Sequence, residues 1–562
     1  MQQNRNLNEL DWVADDSFIT DKNKFRQMKK LIINISFVLV AATSLVSCKK
    51  ALEDKFYNPE KARDASVPGL FTAMLNNDRV AAKYWNVRTF LCQMPGVYAQ
   101  TSYFPNAISV YQQNDGYSQN YWDDFYATGG NGSGSMAQYR SMEVKFKTLS
   151  DAEKATQAII MQAAKVVLIE QAAKMVDLWG DIPYSETGSL ETSSTIVNPK
   201  FDEQKALYTS FISDLTTAAA YFKANPTNKD FSKADILLKG DVNQWVRYAN
   251  SLRLRLLMRI SKVDEGTART AVLDMLNNPS AFPLIDGGNN PSYNPGASDV
   301  LLQPLTNSTS DLRAAFMEGS WYATDYMLNT VMLPANDPRI PVIYDKYGRI
   351  VKIDKKDVFV PNKTYKAMPV TMIASEQETK FADYSVLDSA TFLFNQKLPG
   401  IVITASEVNF LKAEAFERWG SSASAQTAYG NALRQSVTFY YYLNNLNQGG
   451  GYVNVQAPDA ATIDTWVNTS SAAYAGTSAN KLANIYTQKW VHLGVLQSTE
   501  AWSEYRRTGF PVLTFPADGK LSGFDTPPNR LIYPGKEKIL NAANYQAVQA
   551  KDTRKTKIFW QP

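Results

Sequence analysis

The sequence predicts a mostly α-helical fold, an α-superhelix of stacked helix pairs with irregular, loop-rich excursions. Apolar residues recur at intervals of three and four along several long stretches, and short turns join some of these stretches into pairs. Segments rich in glycine, asparagine and proline separate them. A chain of 562 residues with 44% hydrophobic and 20% charged residues is large enough to bury a substantial core.

Long amphipathic segments predict the first helices. Residues 153–178 carry an apolar stripe and stop at Gly180 and Pro183, because glycine supplies a C-terminal cap and proline cannot continue a helix. Residues 202–222 and 242–261 are predicted as two further helices. The arginines of the last segment are expected to form a solvated or salt-bridged helix face.

A helix, a short turn and a returning helix are most evident late in the chain. Residues 410–420 predict a helix ending at glycine, and residues 425–436 predict the helix that packs back on it. Small residues at the contact and an aromatic residue at the crossing are typical of tetratricopeptide repeats. Residues 153–178 and 202–222 form a similar pair around a longer loop. Such pairs stack because one pair alone cannot bury its apolar face.

Turn-forming residues mark the irregular excursions. Residues 128–135, 286–296 and 447–458 are rich in glycine, asparagine or proline and are predicted to be loops. Residues 335–405 combine turn residues with short β-branched runs, which indicates loops with a hairpin. The alternate glycines at 130–134 lack the strand and the lysine of a phosphate-binding loop, so they predict a flexible segment.

The N-terminal region predicts an export signal that ends at Cys48. Residues 28–47 contain a basic pair, an apolar run and small residues before the cysteine, which is the layout of a signal peptide and resembles a bacterial lipobox. A spanning helix needs about 20 apolar residues, and polar residues interrupt this run earlier. Residues 1–27 are expected to be an upstream-start extension, and residues 48–562 a single domain whose Cys48 thiol is acylated.

Composition excludes several function classes. A formal net charge of +4 gives no reason to expect a nucleic-acid partner. His492 is the single histidine, so zinc sites of histidine and cysteine, and histidine-based triads without it, are excluded. His492 follows Trp490 in a helical stretch and is predicted to be structural. No metal, cofactor or catalytic residue is predicted, and the fold is expected to hold without disulfides.

Aromatic side chains in polar surroundings are the positive functional signal. Sugars present apolar C–H faces and a hydroxyl rim, so their sites pair flat aromatic rings with amides or carboxylates. Aromatic residues make up 12% of the chain, and many lie between positions 84 and 126. Helical spacing also allows Trp122 to face the core. The residues predicted to contact ligand are Trp85, Asn86, Tyr103, Tyr117, Trp122 and Trp321.

Several short stretches resemble, in their order along the chain, the motifs of the SusD/RagB superfamily. They include Asp-Leu-Trp-Gly-Asp-Ile-Pro-Tyr-Ser-Glu at 177–186 and Glu-Ala-Trp-Ser-Glu-Tyr-Arg-Arg-Thr-Gly at 500–509. The others are at 245–259, 336–339, 407–420, 485–490 and 530–537. With the predicted lipobox, they span essentially the whole mature chain and resemble the SusD-like lipoprotein branch most closely.

The resemblance implies a lipid-anchored protein of the outer membrane in a Bacteroidetes-type bacterium. Such proteins have a mostly helical fold with four tetratricopeptide-like helix pairs, and no catalytic activity belongs to the family. They cap a SusC-like TonB-dependent transporter and deliver a nutrient, usually a glycan, to it. Lys49 and Lys50 directly follow Cys48, whereas surface-export signals of the family are acid-rich, so lipidation is better supported than surface display.

Other functions stay open at this point. RagB-like members imply a peptide ligand, and a scaffold would dock the transporter without binding a nutrient. A glycoside hydrolase needs two carboxylates about 5–10 Å apart across a cleft. The adjacent Asp123 and Asp124 do not face each other on a helix, and Asp181 suits a turn beside Gly180, so hydrolysis is the least favoured function.

Overall fold

Helices make up most of the described chain. The computed structural model describes residues 65–562 apart from 82, 128–133, 194, 196, 289–292, 306–311, 319–320, 447–453 and 517. The predicted extension 1–27, the predicted signal peptide 28–47 and Cys48 therefore lie outside the described residues, as do most of the loop predicted at 128–135 and parts of those at 286–296 and 447–458. Residues Ser66–Pro562 form a single compact unit.

The helices are distributed along the whole described chain. They are α1 (Val67–Leu75), α2 (Pro95–Tyr98), α3 (Asp115–Tyr126), α4 (Ser135–Lys147), α5 (Asp151–Trp179), α6 (Ser189–Ser193), α7 (Gln204–Ala224), α8 (Lys229–Ala234), α9 (Val242–Ile260), α10 (Glu265–Asn277), α11 (Pro295–Ser298), α12 (Leu312–Met317), α13 (Ile340–Ile343), α14 (Ala374–Lys380), α15 (Ala405–Trp419), α16 (Ser422–Asn445), α17 (Ala460–Thr469), α18 (Ser478–Leu493), α19 (Ser498–Thr508), α20 (Gly535–Leu540) and α21 (Ala542–Tyr545). Tighter or wider helical turns occur at Asn86–Leu91, Tyr326–Met332, Phe381–Asp383, Ser389–Leu393 and Gln549–Lys551.

The strands are short and form two-stranded antiparallel sheets. They are β1 (Ile182–Pro183), β2 (Phe201–Asp202), β3 (Val300–Leu302), β4 (Tyr344–Asp345), β5 (Gly348–Ile353), β6 (Lys356–Pro361), β7 (Val386–Leu387) and β8 (Gly400–Ile403). Strand β1 pairs with β2, β3 with β8, β4 with β7, and β5 with β6. The β5–β6 hairpin is the one that the β-branched runs predict. Its turn residues, Asp354 and Lys355, have φ values of 50° and 64°, which suit the right-handed twist of a tight hairpin.

Local signals set the limits of the longest helix, α5. The Ser150 hydroxyl accepts a hydrogen bond from the Glu153 amide, and the Glu153 carboxylate accepts one from the Ser150 amide, which is a capping box. The helix ends at Gly180, whose φ of 80° strains any residue with a Cβ atom. The predicted helix at 153–178 is therefore confirmed.

Helices neighbouring in sequence pack in pairs. Helix α4 packs on α5, α5 on α7, α7 on α9, and α9 on α10; later in the chain α15 packs on α16 and α18 on α19. The pair α15–α16 is the helix, turn and helix predicted at 410–420 and 425–436, with both members longer than predicted. The prediction of a mostly α-helical fold with stacked helix pairs is thus confirmed. Within the described ranges, no helix combines the length and apolarity needed to cross a membrane.

Ion pairs buried between these helices form what we call the buried charge network. Arg255 on α9 binds both carboxylate oxygens of Glu407 on α15 at 2.7 Å. Arg507 on α19 binds Glu414 on α15 at 2.6 and 2.7 Å. The network also contains Asp177, Arg259, Lys489, Glu500 and Glu504, which join α5, α9, α18 and α19.

Neighbouring cations keep Glu504 ionised in the interior. Burial opposes ionisation, but Arg507, Lys489 and Arg259 together hold the pKa of Glu504 well below its usual value. The sequence predicts that the arginines of this helix are either solvated or salt-bridged. Arg255 and Arg259 are salt-bridged. They are 5% and 1% exposed, so they point into the core instead of forming a solvated face.

Candidate ligand-binding cleft

A cleft with aromatic walls lies beside the β5–β6 hairpin. Its volume is about 580 Å³, within the range of small-molecule sites. Its walls include the rings of Trp321, Tyr347, Phe359, Tyr365 and Phe394, and we call it the aromatic cleft. These rings come from separate segments of the chain, so the fold alone brings them together.

Main-chain hydrogen bonds to β7 position Trp321. The Leu387 amide donates to the Trp321 carbonyl at 2.6 Å, and Tyr322 forms a bridge with Val386. The Trp321 ring packs edge-on against Tyr347, with ring centres 5.0 Å apart. The half-buried Trp321 side chain lines the cleft, and its main chain is fixed by the pairing with β7.

The hairpin contributes the neighbouring part of the wall. Tyr347 precedes β5 with a φ of 53°, and its carbonyl accepts a hydrogen bond from the Asn362 amide at 2.8 Å. Phe359 on β6 lies 6.3 Å from Tyr347 and is 54% exposed. Ile350 lies directly opposite Phe359 and therefore shares its face. A large apolar ring is thus presented to solvent at the cleft.

Charged groups lie among the rings. The Lys346 ammonium is 5.2 Å from the centre of the Tyr365 ring, and the Arg313 guanidinium is 4.5 Å from the Phe394 ring. The Asp345 carboxylate accepts hydrogen bonds from the Ser389 amide and hydroxyl at 2.9 and 2.6 Å. Burial, with Asp345 and Asp388 nearby, raises the pKa of Tyr365, so its phenol remains a hydrogen-bond donor.

A second aromatic group, the aromatic shelf, lies next to the C-terminal end of α12. It consists of Tyr84, Trp85, Arg88, Tyr117 and Glu318. The Tyr84 hydroxyl donates to Glu318 at 2.7 Å, and Arg88 pairs with the same carboxylate. Trp85 is 49% exposed and packs edge-on against Tyr84 at 4.9 Å. Glu318 directly follows Met317, which lines the aromatic cleft, so α12 connects the two groups.

Three of the six residues predicted to contact ligand lie on these two surfaces. Trp321 is in the wall of the aromatic cleft, and Trp85 is on the aromatic shelf. Tyr117 is on the shelf as well, where its hydroxyl lies 3.3 Å from the Arg88 guanidinium. The structure thus brings together residues that are more than 200 positions apart in sequence.

The other three predicted residues lie elsewhere. Trp122 is 1% exposed, packs edge-on against Trp179 at 5.2 Å and donates its indole N–H to Glu537. Tyr103 is 8% exposed, and its hydroxyl donates to Gln377 at 2.6 Å. Asn86 lines a small internal cavity. Burial leaves Trp122 and Tyr103 almost no surface for a ligand, since both rings are used in packing.

Sequence reasoning missed four rings of the aromatic cleft: Tyr347, Phe359, Tyr365 and Phe394. All four lie in residues 335–405, which the sequence describes as loops with a hairpin. The available signal was the short apolar run of β6, in which Phe359 stands between Val358 and Val360. That pattern predicts a strand but does not show that one of its faces borders a cleft.

His492 is buried and hydrogen-bonded. Its ring nitrogens lie 2.7 Å from the Thr404 hydroxyl and 3.0 Å from the Ser436 hydroxyl. Burial, assisted by the nearby Arg339, lowers its pKa to about 3, so the ring is neutral at physiological pH. This environment agrees with the structural role predicted for it.

Within the part of the chain that the structure describes, no cluster of His, Cys, Asp or Glu has the arrangement of a metal site.

The helix pairs and the surface cleft with aromatic walls define a mostly helical protein with a candidate ligand site at this cleft. The sequence matches the model of a SusD-like family, described as starch-binding and associating with the outer membrane, over residues 61–534. Because this match covers most of the chain, the protein belongs to the SusD-like family. A comparison with curated proteins gives no match.

Solved structures share the fold. A chitin-binding protein is 23% identical, with a TM-score of 0.68 over 89% of this chain and 100% of its own. A chitin-binding SusD homologue from Flavobacterium johnsoniae is also 23% identical, with a TM-score of 0.66 over 88% of this chain and 98% of its own. A SusD homologue from Bacteroides uniformis is 21% identical, with a TM-score of 0.66 over 89% and 100%. At these identities the likeness establishes the tetratricopeptide-like helical fold.

Proposed function

We propose that this protein binds a glycan in the aromatic cleft and delivers it to a TonB-dependent outer-membrane transporter. The observation that carries the proposal is the cleft itself, where exposed or half-buried aromatic rings alternate with charged hydrogen-bonding groups. The starch-binding description of the family and the chitin-binding names of two similar structures support a saccharide ligand.

The chemistry of the cleft suits sugar rings. The faces of Trp321 and Phe359 offer apolar contact to C–H groups, and Lys346, Arg313 and the Tyr365 phenol offer donors to hydroxyl oxygens. Phe359 presents a large apolar area to water at 54% exposure, and a stacked sugar would remove that area from solvent. The proposed contacts are therefore Trp321, Tyr347 and Phe359, with Lys346 as a polar anchor.

The aromatic shelf extends the proposed site. Trp85 and Tyr117 lie at one end of α12, while Arg313 and Met317 of the same helix line the cleft. A ligand that contacts both surfaces must be longer than one sugar. We therefore expect oligosaccharides to bind more tightly than monosaccharides.

Binding without hydrolysis is part of the proposal. Among the residues described in the cleft wall, Asp345 supplies the one carboxylate, and Ser389 occupies one of its oxygens with two hydrogen bonds. Glycoside hydrolysis requires a pair of carboxylates across the scissile bond. Incubation with polysaccharides should release no new reducing ends; release that depends on Asp345 would contradict this part.

Membrane attachment through Cys48 and a SusC-like partner complete the proposal. The predicted lipobox and the outer-membrane description of the family support them. Cys48→Ser should move the protein from the membrane fraction to the soluble fraction, and the wild type should co-purify with a β-barrel transporter. Continued membrane association of Cys48→Ser would place the anchor elsewhere in the chain.

Binding to chito-, malto- and other oligosaccharides, measured by titration calorimetry, tests the ligand class. Trp321→Ala and Phe359→Ala should each weaken the affinity about tenfold or more, because each removes an aromatic platform. Tyr221→Ala, on the partly exposed side of α7, is the matched control and should bind like wild type. Undiminished binding in both cleft variants would place the site elsewhere.

Two further outcomes distinguish the alternatives. Saturable binding to peptides and not to glycans would indicate a RagB-like peptide receptor. Co-purification with the transporter in the absence of any saturable ligand would indicate a scaffold.

A further inference from the structure

A small, partly enclosed cavity has strongly charged walls. Its volume is about 50 Å³, and we call it the internal cavity. Its lining includes Arg79, Lys174, Arg255, Thr499 and Glu500, together with apolar residues of β8 and the start of α12. The aromatic cleft lies elsewhere and shares none of these lining residues.

Arg79 is the unusual member of this lining. Its side chain is buried, with 7% exposure. Its Nε donates to the Gln171 amide oxygen at 3.0 Å, its Nη1 donates to the Tyr121 carbonyl at 2.9 Å, and its guanidinium stacks 3.9 Å from the Tyr121 ring. Nη2 has no hydrogen-bond partner, and no carboxylate of the described residues forms an ion pair with Arg79.

Each of the other charged groups of the wall has an ion-pair partner. Lys174 pairs with Glu170 at 2.5 Å, and Arg255 pairs with Glu407 at 2.7 Å. Glu500 pairs with Arg259, which it shares with Asp177 and Glu504. Arg79 therefore brings one positive charge to the internal cavity without a matching carboxylate, which is costly in a buried setting.

A second donor lies in the same wall. Thr499 on α19 is 5% exposed, and its hydroxyl has no hydrogen-bond partner in the described structure. A hydroxyl and a guanidinium N–H that line one cavity can both donate to a single anion. A buried polar group without a hydrogen-bond partner is destabilising, so two such groups favour an occupant that accepts hydrogen bonds.

We infer that the internal cavity is a binding site for a small monovalent anion of halide size, held by Arg79 Nη2 and the Thr499 hydroxyl. Volume sets the upper limit, because about 50 Å³ holds only a few water-sized spheres and excludes a sugar. The surplus positive charge of Arg79 disfavours a metal cation. The anion would link the Arg79 segment to α19, two parts of the chain more than 400 residues apart.

Bromide provides a direct test in crystals of the folded protein. An anomalous bromide peak in the internal cavity, within hydrogen-bond range of Arg79 and Thr499, is the expected result. Water at that position without an anomalous peak would overturn the inference.

Thermal unfolding tests the same inference in solution. At constant ionic strength, replacing the larger gluconate anion by chloride should raise Tm saturably, by about 2 °C or more, because a ligand that binds only the folded state stabilises it. Thr499→Val keeps the shape but removes the donor and should lose at least half of this rise. Equal Tm values in the two salts would contradict the inference.

Two further variants complete the design. Arg79→Gln removes the charge and should abolish the chloride dependence; if it fails to fold, Thr499→Val decides the question. Thr508→Val is the control on the same helix, since its hydroxyl donates to the Glu504 carbonyl at 2.8 Å, away from the cavity lining. It should keep the full chloride dependence, and an equal loss in both threonine variants would overturn the inference.

Discussion

The buried charge network and the aromatic cleft use opposite kinds of side chain in opposite places. The network places arginine, lysine and glutamate in the interior, where each charge is matched by another. The cleft places tryptophan, tyrosine and phenylalanine at the surface, where Phe359 is more than half exposed. Each region inverts the usual preference for apolar cores and polar surfaces.

The difference separates the parts of the sequence that specify the fold from those that form the proposed ligand site. Residues of the network lie in five of the motif stretches, at 177–186, 245–259, 407–420, 485–490 and 500–509. The rings at 347, 359, 365 and 394 lie in none of them. The motifs therefore specify how helices join, and the proposed ligand surface is built by segments between the motifs.

The network should respond most strongly to the loss of one charge. Arg507→Met leaves Glu414 and Glu504 buried without their shared partner, so we expect the free energy of unfolding to fall by about 5 kcal/mol. Urea denaturation measures it. Arg434→Met, which breaks the exposed pair with Asp464, is the control and should cost less than about 1 kcal/mol. Similar losses in both would show that burial does not distinguish the two pairs.

Two tryptophans between positions 84 and 126 should differ in their effects, because Trp122 is buried in the core and Trp85 is half exposed on the aromatic shelf. Trp122→Ala should destabilise the protein by about 3–4 kcal/mol, because it leaves a large cavity in the core. Trp85→Ala should cost less than about 1 kcal/mol, because the ring is half exposed, and should weaken oligosaccharide binding. Thermal unfolding and calorimetry on both variants check this. Equal stability losses would mean that Trp85 is also a core residue.

His492 should make the stability of the folded protein depend on pH. The unfolded chain binds a proton as pH falls below about 6.5, whereas the buried ring stays neutral until its lowered pKa of about 3. Protonation of the unfolded chain therefore favours unfolding. As pH falls from 7 to 5, His492 should lower the free energy of unfolding by about 2 kcal/mol. His492→Gln should remove that part of the slope in urea denaturation at each pH. An unchanged slope would assign the dependence to other groups.

The smallest expected effect lies in the polar part of the cleft. Lys346→Met keeps an aliphatic side chain near Tyr365 but removes the exposed ammonium group. Oligosaccharide affinity should fall about two- to fivefold, because one exposed hydrogen bond contributes little. Calorimetry measures the change, and Lys363→Met on the neighbouring loop is the control. A larger loss than in Phe359→Ala would mean that charge, not ring stacking, dominates recognition.

The sequence was sufficient to predict elements that are determined by residues close together along the chain. Helix α5 followed from its apolar spacing and Gly180, and the β5–β6 hairpin from its β-branched runs. The burial of Arg255 and Arg259 depends on carboxylates at 407, 500 and 504, so the helix pattern could not separate a salt-bridged core from a salt-bridged surface. The cleft was missed for the same reason, since Trp321, Tyr347 and Phe394 meet only after folding.

The β5–β6 hairpin has a consequence for behaviour at high concentration. Its strands pair with each other among the described strands, so each presents a free edge, and Ile350, Ile353 and Val360 are 69%, 50% and 41% exposed. A free strand edge can form hydrogen bonds with a strand of another molecule. Charged residues such as Lys352 and Lys356 oppose this association by electrostatic repulsion. Self-association should therefore increase at high salt, which screens these charges, and a ligand that covers Phe359 should reduce it.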